Sequence, residues 1–261
     1  MSQNIPSTTL GSFARQFLEY LEIERGRSLK TIQNYEHYLA RFFAQSGVKS
    51  PTDLTDEKIR GFRLWLGRSN DKPELATRTR NYHLIALRMF LKYLAKRDIA
   101  SLPPERIELA KLGDRDIDIP AVDDLDRLLS APERGSLRGL RDKAILELLF
   151  YTGLRVSELA NLNRDSIDFR RDEFSVRGKG SKVRLVFLSK NSKTTLEQYL
   201  AKRGDISEAL FVGSQKKEAK RLTVRQIERL VSRYAIVAGI SGKVTPHTLR
   251  HMFATDLLLN G

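Results

Sequence analysis

An apolar helical run that stops at a glycine, with an arginine two residues later, constrains this chain more than any other stretch. Residues 144–150 (AILELLF) form the run, which ends at Gly153. Glycine is common just past a helix because it adopts a positive φ without a Cβ clash. The chain can therefore reverse and deliver Arg155 near the start of a second short helix, predicted over residues 156–162. A guanidinium beside free backbone N–H groups suits an anion such as a phosphate.

A simpler interpretation of the same arginine is a surface ion pair. Glu158 follows Arg155 by three residues, and oppositely charged residues at that spacing commonly pair on helices. This segment alone leaves both interpretations open.

The chain is basic along its whole length. It has 46 lysines and arginines against 32 acidic residues, a net charge of +14 at pH 7. Residues 1–112 carry 19 of the basic and 12 of the acidic residues, and residues 113–261 carry 27 and 20, so each part is +7. The even distribution predicts that both parts face one polyanion, most simply nucleic acid. Ribosomal proteins and proteins that bind anionic membranes share such a charge.

Features of secreted and membrane proteins are lacking in the sequence. It contains no cysteine, which excludes a disulfide framework and a cysteine-based metal site or nucleophile. No apolar run approaches the roughly 20 residues of a membrane span, and the first residues lack the regions of a signal peptide. We expect a soluble cytoplasmic protein with no membrane partner.

Apolar residues at spacings of three and four predict four helices in residues 1–112. The first ends near Gly26, and Ser28 is the predicted N-cap of the second. The third begins near Thr55, and the fourth covers about residues 74–97. Their aromatic and leucine stripes are most simply the core of a compact domain. The basic residues of this domain expected to contact phosphates are Lys30, Arg78, Arg80 and Arg88.

A polar stretch at residues 113–119 cannot build a core and is the predicted linker to a second domain, residues 120–261. Residues 166–188 carry the strand pattern of that domain. Apolar residues there alternate with polar ones on both sides of a glycine-containing turn, which predicts an antiparallel hairpin, and residues 167–169 are predicted as a third strand. Helices are predicted on both sides, so the fold class is mainly α with a small antiparallel β-sheet.

Lys179 lies between two glycines at the hairpin turn. Glycines permit the turn whatever the middle residue is, so a loop lysine without a task explains the pattern equally. Against that, Arg177, Lys182 and Arg184 flank it on the same two strands. A basic hairpin of this kind can enter a DNA groove and hold one ammonium group against a backbone oxygen.

The last predicted helix presents a histidine and an arginine on one face. Thr245 is its predicted N-cap, and His247 and Arg250 are three residues apart. An imidazole there can move a proton while a guanidinium stabilises charge on phosphate oxygens. The positions expected to face the core are Leu249, Phe253 and Leu257.

Two further patterns carry weaker signals. A zinc site at His247 and His251 is disfavoured, because Thr248 takes the place of the glutamate in an H-E-x-x-H motif and no third ligand is evident. The charge run at residues 215–221 (QKKEAKR) is interpreted as a solvated loop that can contact a nucleic-acid backbone.

Three segments in this order resemble the tyrosine recombinases, most of all the Xer recombinases and related phage integrases. They are residues 152–159 (TGLRVSEL), 178–184 (GKGSKVR) and 247–251 (HTLRH). Residues 28–39 are similar to the family's core-binding domain. The resemblance implies a helical, SAM-like core-binding domain and a mostly helical catalytic domain with a three-stranded sheet, which together clamp duplex DNA.

The resemblance also implies roles for four residues. Arg155 and Arg250 would grip the scissile phosphate, Lys179 would protonate the leaving 5′ oxygen, and His247 would assist proton transfer. Two guanidinium groups can stabilise the pentacoordinate transition state without a metal or other cofactor. In the family a tyrosine attacks the phosphate, giving a 3′-phosphotyrosyl link, and a homotetramer on two sites in double-stranded DNA exchanges strands through a Holliday junction. The implied function is site-specific DNA recombination.

The sequence departs from the family after His251. The family places a further His or Trp and then the nucleophilic tyrosine downstream of this helix, but none of the eight tyrosines follows His251. Tyr151, Tyr199 and Tyr234 lie in or beside apolar helical stripes and are predicted to be packing residues. We therefore expect a truncated chain with a C-terminally incomplete catalytic domain, which binds DNA without cleaving it.

Three alternatives explain part of the pattern. The first is a non-catalytic DNA-binding protein or regulator on a recombinase scaffold, which would lack an in-frame tyrosine segment downstream. The second is a type IB topoisomerase, against which the core-binding domain and the short length argue. The third, a generic RNA- or ribosome-binding protein, explains the charge but not the spaced arginine, lysine and His-x-x-Arg set.

Overall fold

The computed structural model describes residues 5–6, 8–68, 75–113, 120–133, 135–178, 182–213 and 219–260. The chain forms two compact units, residues 1–115 and 116–261, each with its own apolar core. The predicted linker, residues 113–119, lies outside the described residues except for Gly113. Within the described ranges, none of the helices is long and apolar enough to cross a membrane.

The described residues of the first unit form four helices, as predicted. Side chains cap three of them: Thr8 Oγ1 accepts the Gly11 N–H at 3.1 Å, Ser28 Oγ accepts the Thr31 N–H at 3.3 Å, and Thr55 Oγ1 accepts the Lys58 N–H at 3.4 Å. Buried aromatic and leucine side chains fill the space between the helices. Short 3-10 turns cover Pro51–Asp53 and Pro104–Arg106. The helices are α1 (Thr9–Ile23), α2 (Leu29–Ser46), α3 (Asp56–Arg68) and α4 (Thr77–Ala95).

The other helices of the second unit pack around one buried helix, α6 (Leu137–Thr152). The helices of this unit are α5 (Val122–Ser130), α6, α7 (Val156–Ala160), α8 (Lys190–Ala201), α9 (Val224–Val237) and α10 (Pro246–Asn260). Its strands are β1 (Glu173–Arg177) and β2 (Val183–Phe187). Helix α6 packs against α5, α7, α8, α9 and α10, which explains why nearly every residue of its second half is buried. The predicted mainly helical fold class is confirmed.

The sheet has two strands in the part of the chain that the structure describes, so the predicted third strand is wrong. Asp168 pairs with Glu173 through a single isolated bridge. The Asp168 side chain instead accepts the Arg170 N–H at 2.9 Å, which closes a turn, and Asp172 takes a φ of +55° just before β1. Because the chain turns back at once, residues 167–169 have no length in which to form a strand.

The buried face of β2 is not the face that carries its alternating apolar residues. Phe174 and Val176 of β1 and Val186 of β2 are buried. The three alternating apolar residues of β2 are exposed on the opposite face: Val183, Leu185 and Phe187. This apolar row lies across from Arg177, Ser175 and Glu173 of β1.

Gly153 joins the end of α6 to the start of α7 and lies beneath α10. It ends α6 with a φ of +56°, and a Cβ atom there would overlap the ring of Phe253 on α10. Leu249 and Met252 are buried on α10, but Leu257 is 56% exposed, so its predicted core position is wrong. The residues from Ala254 to Leu258 are exposed, because this part of α10 extends past the core.

Candidate active site

A buried carboxylate collects two arginines. Glu158 lies in the first turn of α7, and its side chain is only 5% exposed. Its Oε2 accepts the backbone N–H of Arg155 at 2.9 Å and Nη2 of Arg184 at 2.9 Å, while Oε1 accepts Nη1 of Arg155 at 2.8 Å. The predicted pair of Arg155 with Glu158 therefore forms, but the carboxylate is buried and has three donors, unlike that of a surface pair.

These donors keep Glu158 charged. Burial acts to raise its pKa, but hydrogen bonds from the Arg155 backbone, the Arg155 side chain and Arg184 together outweigh burial and lower the pKa. A carboxylate that is charged in this position holds the two guanidinium groups beside one another.

Arg250 on α10 joins this cluster. Its Nη1 donates to the carbonyl oxygen of Gly153. Burial lowers the pKa of Arg250, and so do the positive charges of Arg155 and Arg184, with Glu158 acting in the opposite direction. Arginine remains protonated under such shifts. Three guanidinium groups, from the N-cap of α7, from β2 and from α10, thus lie within electrostatic reach of one another.

The end of β1 lies against the same cluster. A Cβ atom on Gly178 would be 3.5 Å from Oε1 of Glu158 and 3.6 Å from Nη1 of Arg155. The Gly178 N–H donates to the carbonyl oxygen of Lys182 at 2.8 Å, which brings the two strand ends together. Arg177 and Lys182 are exposed at these ends. Lys179 lies outside the described residues.

His247 is exposed on the first turn of α10, where Oγ1 of Thr245 caps the helix by accepting the Thr248 N–H at 3.2 Å. Its Nε2 lies 3.0 Å from Nε2 of His251, and the two rings meet edge to face. One of these nitrogens donates and the other accepts, so at least one ring is neutral while the bond exists. Among the residues whose placement is described, no group of three or more His, Cys, Asp or Glu side chains could hold a metal ion.

Both units of the chain match a known family in sequence. Residues 121–261 match the phage integrase family, and residues 14–98 match the phage integrase N-terminal SAM-like domain. The chain belongs to the phage integrase family.

Relatives within the phage integrase family are tyrosine recombinases. The chain is 34% identical over 262 residues to tyrosine recombinase XerC of Thermodesulfovibrio yellowstonii, covering 95% of this chain and 83% of that protein. It is 35% identical over 257 residues to tyrosine recombinase XerD of Oceanobacillus iheyensis, covering 94% and 84%. A lambda integrase tetramer bound to a Holliday junction shares the fold, with a TM-score of 0.71 and 19% identity over 95% of this chain and 73% of that one. The predicted resemblance to Xer-type recombinases is confirmed, and this phage integrase family member is a site-specific recombinase of the tyrosine type.

Two of the four basic residues predicted to contact DNA in the first unit of this recombinase, Arg78 and Arg80, point to different sides of α4. Lys30 and Arg78 are exposed. Arg80 is half-buried and donates through Nη2 to Oγ1 of Thr77 at 2.9 Å, and Arg88 is half-buried. A helix advances about 100° per residue, so Arg78 and Arg80 point roughly 160° apart on α4.

Three tyrosines of the second unit pack into the recombinase core, as predicted. Tyr199 and Tyr234 are buried, and Tyr151 packs at the edge of the core. The Tyr234 hydroxyl donates to Oδ2 of Asp142 at 3.0 Å. Burial raises the pKa of all three phenols, which disfavours the phenolate form.

Sequence reasoning missed two partners in this site. Arg184 was predicted to contact DNA, but its sharing of Glu158 with Arg155 was not predicted, because the two arginines are far apart in sequence. His251 was considered as a disfavoured zinc ligand and as part of the segment 247–251, but its contact with His247 was not predicted, although an i,i+4 spacing indicates contact between two side chains on a helix. Glu158 itself had a signal, since an acidic residue at the third position of a helix commonly accepts the N-cap N–H.

Proposed function

We propose that this recombinase acts on double-stranded DNA and that its arginine cluster is the scissile-phosphate site. Arg155 and Arg250 would hold the non-bridging oxygens, His247 would assist proton transfer, and Lys179 would protonate the leaving 5′ oxygen. The observation that carries this proposal is the meeting of Arg155, Arg184 and Arg250 around one buried carboxylate.

The charge balance of the cluster suits a phosphodiester. Three guanidinium groups and one carboxylate leave a local charge of +2, and the Arg155 and Arg184 side chains are 47% and 37% exposed. A pentacoordinate phosphorus carries more negative charge than the ground-state diester, so fixed donors stabilise the transition state more than the substrate. This chemistry requires no metal or other cofactor.

The position of Gly178 supports the role proposed for Lys179. Gly178 lies against Arg155 and Glu158, and Lys179 is the next residue in the chain. An ammonium group carried by this hairpin would donate a proton to an oxygen leaving the same phosphorus.

We also propose that both parts of the chain contact the duplex, residues 1–112 as a core-binding domain and residues 120–261 as a catalytic domain. Each part carries a net charge of +7, and the lambda integrase of similar fold is a tetramer bound to a Holliday junction. A homotetramer on paired sites in cytoplasmic DNA is the assembly we expect. The DNA contacts proposed are Lys30, Arg78, Arg80, Arg88, Arg177, Lys182 and Arg184.

The polypeptide of residues 1–261 is proposed to bind DNA without forming a covalent intermediate. No tyrosine follows His251 in it, and Tyr199 and Tyr234 are buried while Tyr151 packs at the edge of the core. The alternative function is a non-catalytic DNA-binding regulator on the same scaffold.

Cleavage of a nicked suicide substrate tests the proposal. Residues 1–261 should retard the duplex in a native gel without giving a covalent adduct. An adduct would show that this polypeptide contains a nucleophile and would refute the proposal that it only binds DNA. Extension of the chain with the C-terminal segment of a related XerC recombinase should permit an adduct. In that extended protein Arg155→Ala should abolish the adduct, whereas Arg170→Ala, which alters an exposed arginine outside the cluster, should preserve it. An extended protein that binds but never cleaves would favour the regulator.

A further inference from the structure

A second basic pocket lies at the opposite end of α6 from the arginine cluster. It has a volume of about 600 Å³ and lies between the first turns of α6 and the first half of α9. Six cationic side chains and one carboxylate, Asp142, are among the described residues that line it. The cations are Arg138, Arg141, Lys220, Arg221, Arg229 and Arg233.

The one carboxylate is fully engaged at the inner wall. Asp142 is buried, and its oxygens accept Arg141 Nε at 2.8 Å and Nη2 at 2.6 Å, Arg233 Nη2 at 2.9 Å and the Tyr234 hydroxyl at 3.0 Å. Arg141 also donates to the carbonyl oxygen of Val212 at 2.8 Å. Two arginines around one carboxylate leave this wall positive, and these bonds hold it in a fixed shape.

Among the described residues, Arg221 donates its hydrogen bonds to neutral acceptors only. Its Nη1 donates to the carbonyl oxygens of Ala160 at 2.9 Å and Leu162 at 2.7 Å, and its Nη2 donates to Oδ1 of Asn163. The interpretation of residues 215–221 as a solvated run is therefore wrong for Arg221, because these neutral acceptors fix it beneath the pocket. Residues 214–218 lie outside the described part of the chain.

The outer wall is open to large ligands. The Arg138 side chain is 58% exposed and lies 3.8 Å from Asp142, and Lys220 and Arg229 are exposed. The start of α9, a helix of 14 residues, faces the pocket through Thr223 and Gln226, and a helix N-terminus favours negative charge. The pocket thus offers hydrogen-bond donors and suits a ligand whose polar atoms are all acceptors. A phosphate is such a ligand, and one arginine can bind two of its oxygens at once.

We propose that this pocket binds a backbone phosphate of the same duplex, at a position separate from the scissile phosphate. The inference rests on the proposed function, because it names a second contact to the same DNA. Helix α6 rises about 1.5 Å per residue, so Arg141 and Gly153 are roughly 18 Å apart along it. That length corresponds to about five base-pair rises of B-DNA, a distance that a bound duplex readily covers.

Salt-dependent DNA binding tests the pocket. The paired change Arg138→Gln and Arg229→Gln removes two exposed charges from the outer wall and leaves in place the residues that hydrogen-bond to Asp142, which are Arg141, Arg233 and Tyr234. Fluorescence anisotropy on a labelled duplex should give a slope of log K against log salt that is smaller by about 0.9 for each phosphate that the variant no longer neutralises. The matched control, Arg170→Gln with Arg171→Gln, removes the same charge from an exposed turn of the same unit and should keep the wild-type slope.

The possible outcomes separate the two proposals. If wild type binds the duplex and the pocket variant shows the same salt slope as the control variant, the pocket inference is overturned and the proposed function stands. Failure of the wild-type chain to bind any duplex would sink the proposed function itself. A DNA-free thermal melt with inorganic pyrophosphate distinguishes a free phosphate ligand: we expect no saturating shift, and a saturating shift that disappears in the Arg138→Gln, Arg229→Gln variant would overturn the assignment to DNA.

Discussion

At the scale of single residues, Glu158 determines where two of the proposed phosphate-binding arginines point. Its two oxygens accept hydrogen bonds from the backbone and the side chain of Arg155 and from the side chain of Arg184. A mutation at this position therefore acts on the arginines through their acceptor and leaves the cations themselves in place.

The substitution Glu158→Gln should lower the free energy of unfolding by about 1–3 kcal/mol, because at a buried position it replaces an acceptor oxygen with an amide N–H group that faces guanidinium donors. Urea denaturation measures the loss. Glu208→Gln, at an exposed position, is the matched control and should change stability by less than about 0.5 kcal/mol. Equal losses in the two variants would show that Glu158 holds nothing in place.

Asp205 should give the chain a measurable acid response. The hydrogen bonds from Arg203 lower its pKa from 3.8 to about 2. A carboxyl with a lowered folded-state pKa stabilises the protein fully above its unfolded value and loses that contribution as the pH falls through the folded value. Asp205→Asn should therefore melt at a lower temperature than wild type at neutral pH, and the difference should shrink between pH 4 and pH 2. A difference that stays constant over this range would contradict the assignment.

At the scale of secondary-structure elements, the joint between α6 and α7 connects the fold to the site. Gly153 adopts positive φ, supports the Phe253 ring and accepts Arg250 through its carbonyl oxygen. One residue thus aligns the end of α6, the start of α7 and the arginine on α10.

Gly153→Ala should destabilise the chain by roughly 2–5 kcal/mol, since it adds a steric overlap with Phe253 to the strain of a left-handed alanine. Gly239→Ala is the control: its φ is +67° and nothing lies within 4 Å of an added Cβ, so only the backbone strain of about 1–2 kcal/mol should remain. Thermal or urea unfolding measures both. Similar losses at the two glycines would mean that α10 does not press on Gly153.

The elements that the sequence predicted well are those with local signals. The caps Ser28 and Thr245 and the terminating Gly153 mark helix ends through short-range chemistry, and each lies where it was expected. The failures depended on tertiary contacts. Alternation in β2 gives the period of a strand but does not say which side is covered, and the other side, with Val186, faces the core.

The same limit applies to the site. The spacing of Arg155 from Gly153 and of His247 from Arg250 placed these residues at helix starts. Their meeting with Arg184 depends on how β2 packs beside α7, a long-range contact that has no signature in the sequence.

At the scale of the whole molecule, charge is divided evenly between two units that each have their own core. Each part of the chain carries a net charge of +7. Electrostatic binding to DNA should therefore draw on both parts, and neither should act as a neutral spacer.

Separate expression of residues 1–112 and 120–261 tests this division. Each part should bind duplex DNA more weakly than the intact chain and with a shallower dependence on salt, because each neutralises fewer phosphates. Anisotropy titrations at several salt concentrations give the three slopes. A part that reproduces the slope of the whole chain alone would show that the other part makes no ionic contact with DNA.

The burial of Glu158 under two arginines has one more consequence. Without this carboxylate, the guanidinium groups would bind chloride and sulfate, and these anions would compete with any substrate. The negative charge of Glu158 should weaken the binding of small anions to the arginines. DNA carries many phosphate charges and should still bind. If the proposed function holds, the hydrogen bonds to Glu158 would keep Arg155 and Arg184 in position before DNA binds.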